Sequence, residues 1–222
     1  ERDLTSSENL IYSSISAITE INNKKVEGDF YVWNKNEIKN TLKDNYEIFS
    51  EYFNINEFGY WEKDKYILKR EKDNSYFTKK FKISNNKLEK ILSKSLIDLN
   101  VIREKRVKPE IDKKVITSWN ALTVIGLNDA FEATGDKKYL KMALEITEAI
   151  EENLIDDKLN IKRSLSISDE KIQFLEDYSY LISAYLGLYQ STFDYEWIEK
   201  AVALTNKSIE IFSVSDSSFF KF

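Results

Sequence analysis

The sequence predicts a mainly α-helical chain of stacked helical hairpins, and three observations predict it. Gly and Pro are scarce, at 5 and 1 of 222 residues, which favours long helices over tight turns. Apolar residues recur at three- and four-residue spacing through much of the chain. The second half also repeats itself: Thr134-Gly135-Asp136 is answered by Thr192-Phe193-Asp194, an offset of 58 residues that also pairs Leu140 with Ile198, Leu144 with Val202 and Thr147 with Thr205. A fixed offset of this length, with helical patterning inside each copy, marks a helical-repeat array.

Taken in order, Phe30-Tyr31-Val32-Trp33 after Gly28-Asp29 reads as a short extended segment. A helix capped by Asn34 or Asn36 is expected through about Phe53, on Ile38, Leu42, Tyr46, Phe49 and Phe53. Residues 54–78 read as irregular, with short strands at Tyr60-Trp61 and Tyr66-Ile67-Leu68. A long helix is expected from Asn86 to Arg106, stopped by Pro109 in a basic connector. Ser118 reads as the N-cap of a helix to Thr134, followed by a return helix to Leu154; these form one hairpin, over about 118–155. A polar loop over 164–171 leads to the second hairpin, about 176–213. Leu181 to Leu188 is apolar nearly all round, as an inner helix of a curved array should be. Inner helix starts then converge on one mouth.

Composition removes several classes of function. With His 0, no Ser/His/Asp triad and no His-ligated metal can come from this chain. A net charge of −5 without a basic stripe argues against nucleic acid. No apolar run reaches membrane-spanning length and no signal segment opens the chain, so the expectation is a soluble, cytoplasmic protein. Both ends read as interior sequence: Glu1 is not an initiator Met, and Phe219-Phe220-Lys221-Phe222 is an aromatic cluster. The whole of 1–222 is therefore expected to be part of one helical domain of a longer protein.

Several motifs resemble a known family. Glu27-Gly28-Asp29-Phe30-Tyr31-Val32-Trp33, Arg106-Val107-Lys108-Pro109, Asp112 to Asn120 with its Thr-Ser-Trp-Asn stretch, and Phe174-Leu175-Glu176-Asp177-Tyr178 are similar to the thioredoxin-fused, spermatogenesis-associated-protein-20-like family. The resemblance implies an α/α toroid, six-hairpin glycosidase-like and similar to sugar 2-epimerases, here present in part. It also implies a thioredoxin-like domain and C-terminal hairpins outside this chain, the former a partner of the toroid. The family's activity is unassigned, and its fold points to carbohydrate without establishing it. Against the family pattern, Ser16 and Ile18 stand for two aspartates, Glu110 and Lys69 for histidines, Lys113 for an aspartate and Ala121 for a glycine. Several reactive side chains are thereby lost.

The candidate site follows from what remains at the mouth. Trp119 can stack on a sugar ring, Asn120 can bind hydroxyls, and Tyr178 adds a second amphipathic ring. Glu176 and Asp177 offer carboxylates, with Asp177 the candidate acid or base because it aligns with Trp119 at the 58-residue offset. Each also reads as a simple helix cap. Arg106, Asp112 and Lys114 either close over an anionic or hydroxylated ligand or form an ion-pair network holding the Pro109 loop. Tyr31 and Trp33, two apart on an extended segment, should share a face. No metal and no cofactor are expected. A small saccharide is the expected ligand of a carbohydrate-binding or carbohydrate-modifying toroid, epimerase-, isomerase- or glycosidase-like. The rival reading is a non-catalytic helical scaffold or interaction domain attached to the thioredoxin-like domain.

Overall fold

A computed structural model describes residues 3–165, 172–214 and 220. The polar loop expected over 164–171 and the cluster at 219–222 fall largely outside those residues. The described chain is mainly helical with a few short strands, and it divides into two compact units, 1–15 with 111–222 and 16–110.

The first unit holds both hairpins. Strand β1 (Tyr12–Ile15) pairs antiparallel with β6 (Ile111–Val115), Ile15 opposite Ile111. Then follow α5 (Thr117–Thr134), α6 (Lys137–Leu154), α7 (Leu175–Thr192) and α8 (Glu196–Phe212). α5 and α7 begin and end at positions 58 apart, and the two hairpin turns repeat atom for atom. Thr134 and Thr192 donate back to Ala130 and Leu188, and both hydroxyls accept from the N–H two residues on. Asp136 and Asp194 then cap Lys138 N and Glu196 N. Gly135 and Phe193 take the same left-handed corner, at φ 69° and 57°. α5 packs on both α6 and α7, and α7 also on α8, so α5 and α7 are the shared inner pair. Their core joins Ala121, Val124, Ile146, Ile150, Leu181, Tyr185, Leu188 and Leu204. Leu186 is 43% exposed, so α7 is buried on one side rather than all round.

The second unit begins with a hairpin that the sequence pattern did not reveal, β2 (Ile18–Ile21) against β3 (Lys24–Glu27). Its signal was Asn22-Asn23, both left-handed, as the two central residues of a type I′ turn require. β4 (Trp33–Asn34) pairs with β5 (Lys65–Tyr66). Around them stand α1 (Lys35–Leu42), a 3₁₀ turn at Lys43–Asn45, α2 (Tyr46–Tyr52), α3 (Asn74–Phe81) and α4 (Asn85–Arg103). Trp33, Ile38, Leu42, Phe49, Phe77, Leu88 and Leu99 form its core.

Three expectations for this unit do not hold. The helix expected to run unbroken to Phe53 breaks at Lys43, where φ turns positive. α3 arises inside the segment read as irregular because Asp73 accepts from Tyr76 N and starts it. Tyr31 and Trp33 do not share a face: only Trp33 lies in a strand and is 2% exposed, whereas Tyr31 sits in the turn after Gly28 and is 46% exposed.

Candidate functional site

The starts of α5 and α7 share one fault, an apolar residue at the N-cap. Ile116 and Phe174 offer no side-chain acceptor, so the first N–H groups of each helix need partners from elsewhere. Ser118, expected as the cap, lies inside α5 instead. Its N–H is met from across the helix pair by Asp177 Oδ1 at 2.9 Å. The Arg163 guanidinium closes the cluster: Nη1 lies 2.9 Å from Asp177 Oδ1 and 3.1 Å from Ser118 Oγ, and also pairs with Glu176 Oε1. Arg163 further lies over the ring of Phe174, 5.0 Å from its centroid.

Asp177 is fully buried, and its Oδ2 has no hydrogen-bond partner among the described residues. Burial pushes its carboxyl up to about 6, against the pull of Arg163 and the Ser118 N–H. Glu176 differs by environment alone, with its side chain half exposed. Of the two adjacent acids, Glu176 is the one that solvent can reach. Trp119, next along α5, is 49% exposed.

Asn120 and Tyr178, also expected to meet a ligand, hold the chain instead. Asn120 is buried; its Oδ1 accepts from Ile11 N at 2.7 Å, and its Nδ2 donates to Ile11 O and Ile116 O. Tyr178, at the matching position of α7, is buried too, its hydroxyl 2.9 Å from Leu159 O and 2.8 Å from Gln173 Oε1, which accepts from Ile161 N. Burial pushes the Tyr178 phenol up to about 12. Unlike side chains at matched positions thus play the same structural part, since each ties its inner helix to the loop entering it.

The remaining candidates have partners of their own. Asp112 and Lys114 pair with each other on β6 at 2.9 Å, and that contact holds Asp112 below the usual carboxylate range. Arg106 belongs to the second unit. Its Nη1 lies within hydrogen-bonding distance of the carbonyls of Asp29, Phe30 and Val32, its Nη2 pairs with Glu37 at 2.8 Å, and its guanidinium covers Trp33. It organises the Gly28–Trp33 turn, which accounts for both motifs at once. Among the described residues no group of three or more His, Cys, Asp or Glu could hold a metal ion, and no helix is long and apolar enough to cross a membrane.

Sequence spacing gave no sign of Arg163, the residue that joins both acids. It lies in a loop, 14 residues before Asp177 and 45 after Ser118, and no periodicity marks such a contact. Its only signal was a cation entering a polar loop of an acidic chain.

The fold and this cluster define a helical-hairpin array with an aromatic and ionic group at its inner helix starts. No protein-family model matches the chain. Its sequence is 31% identical to an uncharacterized protein of Caenorhabditis elegans, over 81% of this chain and 28% of that protein. It is 25% identical to spermatogenesis-associated protein 20 of Mus musculus, over 55% of this chain and 17% of that protein. The resemblance carried by the motifs is therefore a weak but measurable sequence similarity, and the chain spans less than a third of the length of either relative. Among solved structures, a sugar epimerase from a ruminal bacterium is similar at a TM-score of 0.42 and 22% identity, over 50% of this chain and 31% of that one.

Proposed function

We propose that the α5 and α7 starts form part of a carbohydrate-binding or carbohydrate-modifying surface in a larger protein of the α/α toroid type. The observation that carries this reading is the solvent-facing indole of Trp119, one residue along α5 from Ser118, which contacts the Arg163–Asp177 cluster. An exposed ring with fixed charged donors and acceptors close by matches what a sugar requires, an apolar face to stack on and directed hydrogen bonds to hydroxyls. Trp119 is the stacking wall, and Glu176 with Arg163 supplies the polar contacts. Asp177 fixes Arg163 rather than meeting the sugar. Any acid or base role passes to Glu176, the accessible carboxylate.

The second reading, a non-catalytic scaffold beside a thioredoxin-like domain, has its own support. Asn120, Tyr178 and Arg106 devote their polar atoms to the chain itself. Moreover, Trp119 matches Asp177 at the 58-residue offset, and Asp177 serves an adjacent inner helix. By that match Trp119 is a residue for packing against a further hairpin.

Thermal unfolding of the protein against mono- and disaccharides and sugar phosphates separates the two. A ligand at ten times its Kd adds about 1.4 kcal/mol. A shift that one sugar gives to wild type and that Trp119→Ala loses supports the carbohydrate reading. No shift from any sugar, with Trp119→Ala itself destabilised, supports the scaffold.

A further inference from the structure

We infer that residues 16–110, the second unit, are an insertion into a repeat whose full period is one loop plus one helical hairpin. The loop entering each hairpin recurs as faithfully as the hairpin. In the first copy Thr5 bridges Ile11, and in the second Ile155 bridges Ile161. Ser6 N donates to Leu10 O as Asp156 N does to Asn160 O. Ser6 Oγ accepts from Glu8 N and Leu10 N, as Asp156 Oδ1 accepts from Lys158 N and Asn160 N. Asn9 and Leu159 occupy the same left-handed corner, at φ 62° and 61°. Tyr12 N returns to Leu4 O as Lys162 N returns to Leu154 O. Seven-residue loops with one hydrogen-bond pattern, one corner and one exit are copies of a single unit.

The spacing shows where the copies differ. The loops are 150 residues apart, Thr5 to Ile155, and the hairpins only 58, Thr134 to Thr192. The first copy thus carries 92 extra residues between loop and inner helix, and residues 16–110 number 95. The extra chain leaves and re-enters at one place. Ile15 faces Ile111 across the β1–β6 pair, and Asn120 still clamps Ile11 as if the loop ran straight into α5. Within the insert, Ser16 N donates to Glu110 O, closing its neck. The insert has its own core, centred on Trp33, Phe49, Phe77 and Leu99. An element added at adjacent ends with a separate core should fold, and be removable, by itself.

Two experiments test this. In the intact chain, Phe77→Ala opens the core of the insert. Native-state hydrogen exchange is expected to rise about tenfold or more over 16–110, while amides of α5 and α7 change less than about twofold. Separately, Ile15 is joined to Ile111 through an Asn-Gly turn, which matches the strand pairing. The shortened chain is expected to be helical and to unfold cooperatively. Loss of protection in α5 and α7 in step with 16–110, or a shortened chain that does not fold, overturns the inference.

Discussion

The carboxylate of Asp177, at the start of α7, accepts the backbone N–H of Ser118, at the start of α5, at 2.9 Å. A helix whose own cap position holds isoleucine is capped by its neighbour, and Arg163 balances the buried charge. Asp177→Ala leaves both the Ser118 N–H and Arg163 without that acceptor. Urea unfolding should show a loss of about 3 kcal/mol. Asp177→Asn, which keeps an acceptor but not the charge, should lose roughly half as much. Equal losses would mean that the cap adds nothing beyond the ion pair.

The same residue gives a pH dependence with a definite sign. Its folded pKa of about 6 lies above the ordinary aspartate value of 3.8 because burial disfavours the charged form. Its contribution is therefore complete below about pH 4 and is lost as pH rises through about 6, an effect of up to about 3 kcal/mol. Unfolding free energies of wild type and Asp177→Asn, measured from pH 4 to 7, should converge or cross in that sense. Parallel profiles would contradict it.

Phe193 occupies the corner that Gly135 occupies in the first hairpin, and it is 80% exposed. A side chain there bears the cost of a left-handed backbone for little burial, its ring contact among the described residues being with Tyr189 at 6.3 Å. Phe193→Gly should raise stability by about 0.5–1 kcal/mol. A fall in melting temperature would show that the Tyr189 contact outweighs the strain.

Asn120 is the clamp between α5 and the entering loop, so Asn120→Ala removes three hydrogen bonds and strands the backbone of Ile11. A cost of about 2–3 kcal/mol is expected. Hydrogen exchange should show residues 4–12 losing protection before α6 and α8 do. Uniform loss throughout the first unit would mean the loop has no separate stability.

Much of the first unit could be read from the sequence because two copies corroborate each other. Gly135-Asp136 and Phe193-Asp194 mark the same turn in both copies, and α6 and α8 start just after them, at Lys137 and Glu196. The second unit has no copy, and α3 and the Asn22-Asn23 hairpin escaped notice. At the candidate site, sequence spacing singled out Trp119 and the two acids as candidates. It could not tell which acid is buried, because that depends on Ser118 and Arg163, 59 and 14 residues away. Asn120 and Tyr178 each read as a ligand-binding candidate in the sequence. Their partners Ile11 and Leu159 belong to matching loops, and only the fold makes that match visible.

The scarcity of glycine has a consequence for how far this protein lies below its attainable stability. Ten described non-glycine residues hold a positive φ, among them Asn9, Asn54, Lys82, Leu159 and Phe193. Asn and Asp tolerate such a corner, whereas Lys43, Lys63, Lys82, Leu159 and Phe193 build it from side chains that resist it. Apart from the adjacent pairs Asn22-Asn23 and Lys63-Asp64, these corners are separated along the chain, and substitutions at separate sites without shared partners add nearly independently. A heat-tolerant version of the molecule is therefore reachable by small steps at its corners, with Ser118, Arg163, Glu176 and Asp177 left untouched.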